Sequence, residues 1–173
     1  QGDIRKIYAQ GEVFLEVAHD KKHPFVVESE DFSLRVLGTK FNISNYKGGT
    51  TNIVLVEGAV EVTDKNERKA QLTPNDLLNI ANGTITSQKK VDVAEYISWV
   101  DGIMLLNGND LSQIIQRLSI YYGLSIQCDP LVGNEKVYGK LDLKDDIDEV
   151  IECIQQTLPF KVEKSSTSIY LNK

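Results

Sequence analysis

Val36-Leu37-Gly38-Thr39-Lys40-Phe41-Asn42-Ile43 is written as two short strands meeting at one glycine. β-Branched and aromatic residues on both sides suit a pleated, half-buried surface. Gly38 fits a kink or bulge where a side chain would collide, and Thr39 can bond nearby backbone. Phe41 and Ile43 alternate toward one face, which would be a core. Outward from this stretch the same grammar repeats: Val13 to Val17, Phe25 to Val27, Leu34 to Leu37, Ile53 to Val56, Ala59 to Val62, Leu77 to Ile80 and Thr84 to Thr86. The breaks are Asp20-Lys21-Lys22, Lys47-Gly48-Gly49, Asp64-Lys65-Asn66, Pro74-Asn75-Asp76 and Asn82-Gly83. Glycine and asparagine tolerate positive φ there, and proline presets a turn. Asn82-Gly83 is a two-residue hairpin signal. With no sustained three-to-four period, residues 1–95 are expected to form an all-β, antiparallel, jelly-roll-like sandwich.

After Trp99 the period changes. Leu111, Ile114, Ile115, Leu118 and Tyr122 recur at helical spacing, with Asp110 and Gln113 placed as a capping box and Gly123 as the stop. A second helix carries Ile147, Val150, Ile151, Ile154 and Leu158 on one face, with Asp146 and Glu149 at its start and Pro159 at its end. Short β-like runs flank both helices: Met104 to Leu106, Leu124 to Cys128, Val137 to Leu143, Phe160 to Val162 and Ile169 to Leu171. The two units superimpose in pattern: Leu105 falls on Leu141, Asp110 on Asp146, Leu111 on Ile147, Ile114 on Val150, Ile115 on Ile151, Leu118 on Ile154, Leu124 on Phe160 and Ile126 on Val162. Residues 96–173 are therefore expected to be a small α+β domain of two βαβ repeats. Val93, Ile97 and Trp99, with no Gly/Ser- or Pro-rich linker, imply that the halves pack together.

Composition narrows the function. The 173-residue chain has a formal net charge of -6, with 41% hydrophobic and 25% charged residues. That balance is ordinary for a globular protein and wrong for nucleic-acid binding, which needs a basic face. Lys21-Lys22, Lys89-Lys90 and Arg68-Lys69 are isolated pairs. Two cysteines are too few for a disulfide framework: Cys128 continues an inward alternation, Cys153 lies off its helix's apolar stripe, and both read as free thiols. No apolar run approaches the ~20 residues a membrane-spanning helix needs, and no signal peptide precedes Gln1-Gly2, so the chain reads as a processed or truncated product.

No reactive centre is written. His19 and His23 share a polar stretch with Asp20 and lack further metal ligands. No serine occupies a G-x-S-x-G elbow and the glycines form no phosphate cradle. The acidic run Asp142, Asp145, Asp146, Asp148, Glu149 lacks calcium-loop spacing and suits a helix N-terminus. No cofactor and no metal are expected. Trp99, Tyr121 and Tyr122 read as packing residues, with a carbohydrate platform as the alternative.

Four ordered blocks resemble one family. Gly11 to Val17 with Pro24 to Val27 resembles the opening of the FecR domain, and Val36 to Ile43 its V-L-G-T-x-F-N-V motif. Val54 to Val62 is similar to its L-x-E-G-x-V-x-V block. Leu72-Thr73-Pro74-Asn75-Asp76 is similar to its L-x-P-G-E/D turn, with Asn75 for glycine. Trp99-Val100-Asp101-Gly102, Leu111, Ile114, Leu118 and Tyr121-Tyr122 resemble the domain that follows in Bacteroidetes-type members, which is similar to the secretin/TonB short N-terminal fold. Gly38, Thr39, Phe41, Asn42, Glu57, Gly58 and Trp99 are taken as structural motif residues.

The resemblance implies the periplasmic part of a single-pass inner-membrane anti-sigma factor. It would sense the N-terminal signalling domain of a TonB-dependent outer-membrane receptor. A cytoplasmic segment absent here would hold an extracytoplasmic-function sigma factor. Docking is expected by strand addition. In Lys136 to Leu143, Val137, Leu141 and Leu143 would face the core, while Tyr138, Lys140 and Asp142 would face a partner. A glycan- or ligand-binding sandwich sensor and an envelope scaffold are the alternatives, and an enzyme is not expected.

Overall fold

The computed structural model describes residues 4–46, 49–165 and 167–173. Lys47 and Gly48 of the expected Lys47-Gly48-Gly49 break lie outside the described residues. The chain divides into two compact units, Gln1–Ile97 and Ser98–Lys173.

Among the described residues, ten strands build the first unit. They are β1 (Arg5–Tyr8), β2 (Gly11–Val17), β3 (Phe25–Glu28), β4 (Phe32–Val36), β5 (Thr39–Asn45), β6 (Thr51–Glu57), β7 (Val60–Asp64), β8 (Lys69–Leu72), β9 (Asp76–Ala81) and β10 (Thr84–Lys90). They form two sheets, ordered β1-β3-β4-β7-β8 and β10-β9-β6-β5-β2. Val27, Leu34, Val36, Val60, Val62 and Leu72 from the first meet Phe41, Ile43, Ile53, Leu55, Leu78 and Ile80 from the second in one core. That is a sandwich whose inner faces follow from period-two alternation. One pairing departs from the antiparallel expectation: β1 joins β3 in parallel, Arg5 opposite Phe25. β1 and β8 carry too little apolar alternation to be read from sequence. The turns behave as their chemistry dictates. Asn82 and Gly83 take φ of 50° and 70° between β9 and β10, and Asn75 takes 70°, the conformation a glycine would otherwise supply.

After a short helix α1 (Ala94–Ile97) and a 3₁₀ turn at Ser98–Asp101, the second unit runs β11 (Ile103–Asp110), α2 (Leu111–Tyr122), β12 (Ser125–Cys128), α3 (Pro130–Gly133), β13 (Lys136–Asp142), α4 (Ile147–Gln155), β14 (Lys161–Lys164) and β15 (Ser168–Asn172). Strand–helix–strand is thus written twice, but the strands flanking each helix do not share a sheet. β11 pairs β13, whereas β12, β15 and β14 form a separate three-stranded sheet with β12 parallel to β15. This corrects the expectation of two βαβ units in the usual single-sheet sense. The helical correspondences hold in burial: Ile114 and Val150, Ile115 and Ile151, and Leu118 and Ile154 all enter one core. The strand correspondences do not, since Leu141 is buried where Leu105 is half-buried and Phe160 is buried where Leu124 is exposed.

The caps diverge as well. Asp146 accepts from the N–H groups of Asp148 and Glu149 at 2.9 and 3.0 Å. Asp110 makes no side-chain cap and pairs with Lys136 Nζ at 2.9 Å. The expected capping box at α2 is therefore absent, because the cross-strand lysine takes the carboxylate. Gly123 ends α2 in the left-handed region at φ 66°. α4 ends at Gln155, ahead of Pro159. Cys128 is half-buried against the second core, where burial pushes its thiol up, and Cys153 is exposed; both are free.

Candidate docking surface

The ribbon of β11 and β13 places the residues singled out for recognition. Val137, Leu141 and Leu143 are buried, and Tyr138, Lys140 and Asp142 are exposed. Tyr138 is 67% exposed. Its side chain nevertheless has a seat. The ladder slips between Asn107 and Asn109, leaving Gly108 as an extra residue at φ 76°. A Cβ on Gly108 would come within 2.9 Å of the Tyr138 hydroxyl and 3.1 Å of its ring carbon Cζ. The bulge glycine thus makes room for the end of the tyrosine ring. Sequence reasoning placed Tyr138 on the outward face, where it lies. It did not mark Gly108, although a glycine between two asparagines inside a strand pattern is a bulge signal. Lys140 stands opposite Leu105, and Asp142 Oδ1 accepts from the Lys144 N–H at 3.0 Å.

The family-motif residues lie in the first unit, apart from Trp99, and interlock. Thr39 Oγ1 donates to the Ala59 carbonyl at 3.1 Å. A Cβ on Gly58, whose φ is 94°, would fall 2.7 Å from the Gly38 carbonyl oxygen and 2.9 Å from Thr39 Oγ1. One on Gly38 would fall 2.5 Å from His19 Cα. The β4–β5 turn, the β6–β7 turn and the loop at His19 therefore pack backbone to backbone, and only glycine fits. Phe41 is wholly buried, and Asn42 beside it donates to Glu12 Oε1 at 3.1 Å. Glu57 is exposed, 4.0 Å from Lys40 Nζ. Trp99 packs against the second unit's core, so its ring is a packing element there.

Two buried aspartates clamp the open edge of the sandwich. Burial penalises the Asp64 charge. The Ile85 N–H, the Arg68 guanidinium, and the Arg68 and Asn66 N–H groups outweigh it and hold the carboxyl at about 2. At Asp76 burial is likewise overcome, by the Thr73 N–H, Lys90, the Thr73 hydroxyl and Gln88, again to about 2. Gln88 Nε2 also donates to the Gln71 carbonyl at 3.1 Å, which blunts the β8 edge. In the histidine loop, His23 Nδ1 lies 2.7 Å from Asp20 Oδ2, and this contact with the Lys22 N–H holds Asp20 at about 2. Among the described residues no group of three or more His, Cys, Asp or Glu is placed to hold a metal ion. Among them too, no helix is long and apolar enough to cross a membrane.

Comparison with known proteins gives these features a context. Residues 2–61 match the family described as FecR protein, and residues 103–171 match that described as FecR, C-terminal. Two crystal structures of a candidate anti-sigma factor from Parabacteroides distasonis superpose with TM-scores of 0.84 and 0.83. Each is 30% identical over 99% of this chain, which spans 82% and 81% of theirs. Among curated proteins no sequence matches.

Proposed function

Because the chain belongs to the FecR family of anti-sigma factors, we propose that it is the periplasmic sensing region of an inner-membrane regulator. It relays the state of a TonB-dependent outer-membrane receptor to an extracytoplasmic-function sigma factor. In this reading residues 1–95 and 96–173 act as separate domains, and the second receives the receptor's N-terminal signalling domain. The sigma factor is held by a segment outside this chain. No nucleic acid and no cofactor take part.

The observation that carries the reading is the seated, exposed Tyr138 on a two-stranded ribbon. Each strand of the ribbon has one side without a strand partner. On β11 the Leu105 and Asn107 N–H groups donate to Ser98 Oγ and Asn109 Oδ1, so the β13 side is the one to which an incoming strand would add. An exposed aromatic side chain with few rotatable bonds loses little freedom on binding, and such residues are enriched among interface anchors. Lys140 and Asp142 flank it with opposite charges and would set register more than affinity.

Calorimetric titration with the receptor signalling domain tests the assignment. Replacing Tyr138 with Ala is expected to weaken binding by at least about tenfold, the cost of losing one interface anchor. Lys140→Glu is expected to act mainly on the association rate and its salt dependence. Unchanged affinity in both variants removes this strand from the interface.

A further inference from the structure

The motif turns of the first unit do more than lock: they frame a groove of about 720 Å³, within the size range of ligand clefts. Its position follows from register. Val36, Val60 and Leu72 face the core, so Arg35 and Leu37, Ala59 and Glu61, and Gln71 face out on the opposite side of the sheet. Leu37 and Ala59 form an apolar centre, Arg35, Glu61 and Gln71 cross the floor as paired register neighbours, and His19 stands at one wall. The walls are pre-shaped. Gly38 lies against the His19 backbone, Gly58 lies against Gly38 and Thr39, and the Asp20 N–H donates to the Leu37 carbonyl at 2.6 Å.

The charges on this sheet face point to one kind of occupant. Lys6 is paired with Glu28 at 2.6 Å, and Lys69 with Glu61 at 3.1 Å. Glu61 is the register partner of Arg35, yet its carboxylate is held by Lys69. Among the described residues no acidic group is within ion-pair distance of the Arg35 guanidinium. A guanidinium presented this way matches a carboxylate through two parallel hydrogen bonds. Arg35 and Leu37 are two residues apart on a strand. An extended segment lying beside them therefore brings an acidic side chain to the first and an apolar one, two residues away, to the second. Gln88 takes the Gln71 carbonyl at the β8 edge, and Arg35 and Leu37 themselves are reached across the face of the sheet.

We propose that this groove binds a short extended peptide from another protein, seating a carboxylate on Arg35 and an apolar side chain on Leu37 and Ala59. This goes beyond the receptor-docking reading: it uses a different unit and none of the ribbon residues, and the receptor titration does not enter its test. The probes are capped nine-residue peptides of Gly, Ser and Thr carrying one Asp with Leu, Val or Phe two positions before it. Control peptides have Lys in place of Asp. They are titrated into the ¹⁵N-labelled full chain. Saturable shifts of the Gly58, Ala59, Glu61 and Gln71 amides and of Arg35 Nε–H with the Asp peptides, absent with the Lys peptides, are expected. Arg35→Gln is expected to weaken the Asp peptides by about tenfold, the scale of one charge-assisted pair. Arg35→Glu should reverse the preference. Arg35 is exposed, so both variants should keep the wild-type far-ultraviolet dichroism. Non-saturating shifts, shifts centred elsewhere, equal binding of Lys peptides, or an Arg35→Gln variant that binds as tightly as the wild type would overturn the proposal.

Discussion

Gly58 and Gly139 both hold positive φ, 94° and 131°, but their surroundings are opposite. A side chain at Gly58 would collide with the Gly38 carbonyl and Thr39, whereas nothing lies within 4 Å of the position a Cβ would take at Gly139. The first glycine belongs to a closed joint between turns of the sandwich. The second lies between exposed residues on a ribbon strand. The sandwich therefore spends its special residues on closure, and the ribbon spends them on display. A family motif rich in glycine thus marks a joint between turns.

Variants can break or sharpen this contrast. Phe41→Ala should be the most damaging, destabilising by about 3–5 kcal/mol, because Phe41 is fully buried between the two sheets. Denaturant unfolding followed by far-ultraviolet dichroism measures it. Gly58→Ala comes next, at about 3 kcal/mol, since backbone strain and a backbone collision add. Gly139→Ala carries the strain without the collision and should cost about 1 kcal/mol. Equal costs for the two glycines would remove the distinction between joint and display.

Acid should separate the two units next. Asp64 and Asp76 titrate at about 2 in the folded sandwich against an ordinary 3.8. A depressed folded value stabilises above pH 4 and is lost as pH falls from 4 toward 2. Both carboxylates lie in the first unit. Dichroism dominated by its strands should therefore change before the fluorescence of Trp99, the lone tryptophan, which sits against the second core. Asp64→Asn should remove part of the pH dependence. Coincident transitions with unchanged steepness in that variant would contradict the assignment.

Smaller still is the contrast between caps. Asp146→Ala should cost about 1 kcal/mol, as loss of a helix N-cap does. Asp110→Ala loses a partly exposed ion pair and should cost half that or less. Tyr138→Ala should leave thermal stability almost unchanged, because the side chain is exposed. Under the proposed docking its effect appears in affinity for the receptor's signalling domain.

Much of the fold was legible because its signals are local. Asn82-Gly83 and Asn75 announce positive φ by residue type, Gly123 announces a helix end, and the faces of α2 and α4 follow from spacing. The alternation of Val137, Leu141 and Leu143 against Tyr138, Lys140 and Asp142 was equally readable, since a strand has only two faces. The parallel pairing of β1, the blunted β8 and the seat under Tyr138 were not. Each depends on a partner far away in the chain, and short polar strands carry no pattern that names one. The cap at Asp110 failed for the same reason: Lys136, its competitor, is remote in sequence and adjacent in register.

By itself the sequence determined most of the strands, the two longer helices and their ends, and that one half is all-β and the other carries two similar helices. Those are questions of backbone preference and period, answered within a few residues. β1, β8 and the short helices α1 and α3 were not legible. Only the tertiary structure decided which strands share a sheet and which aspartates are buried. It also set Gly38 and Gly58 against each other, and turned the Glu61 carboxylate to Lys69 and away from its register partner Arg35. Such outcomes depend on distances between residues far apart along the chain, and packing alone sets them.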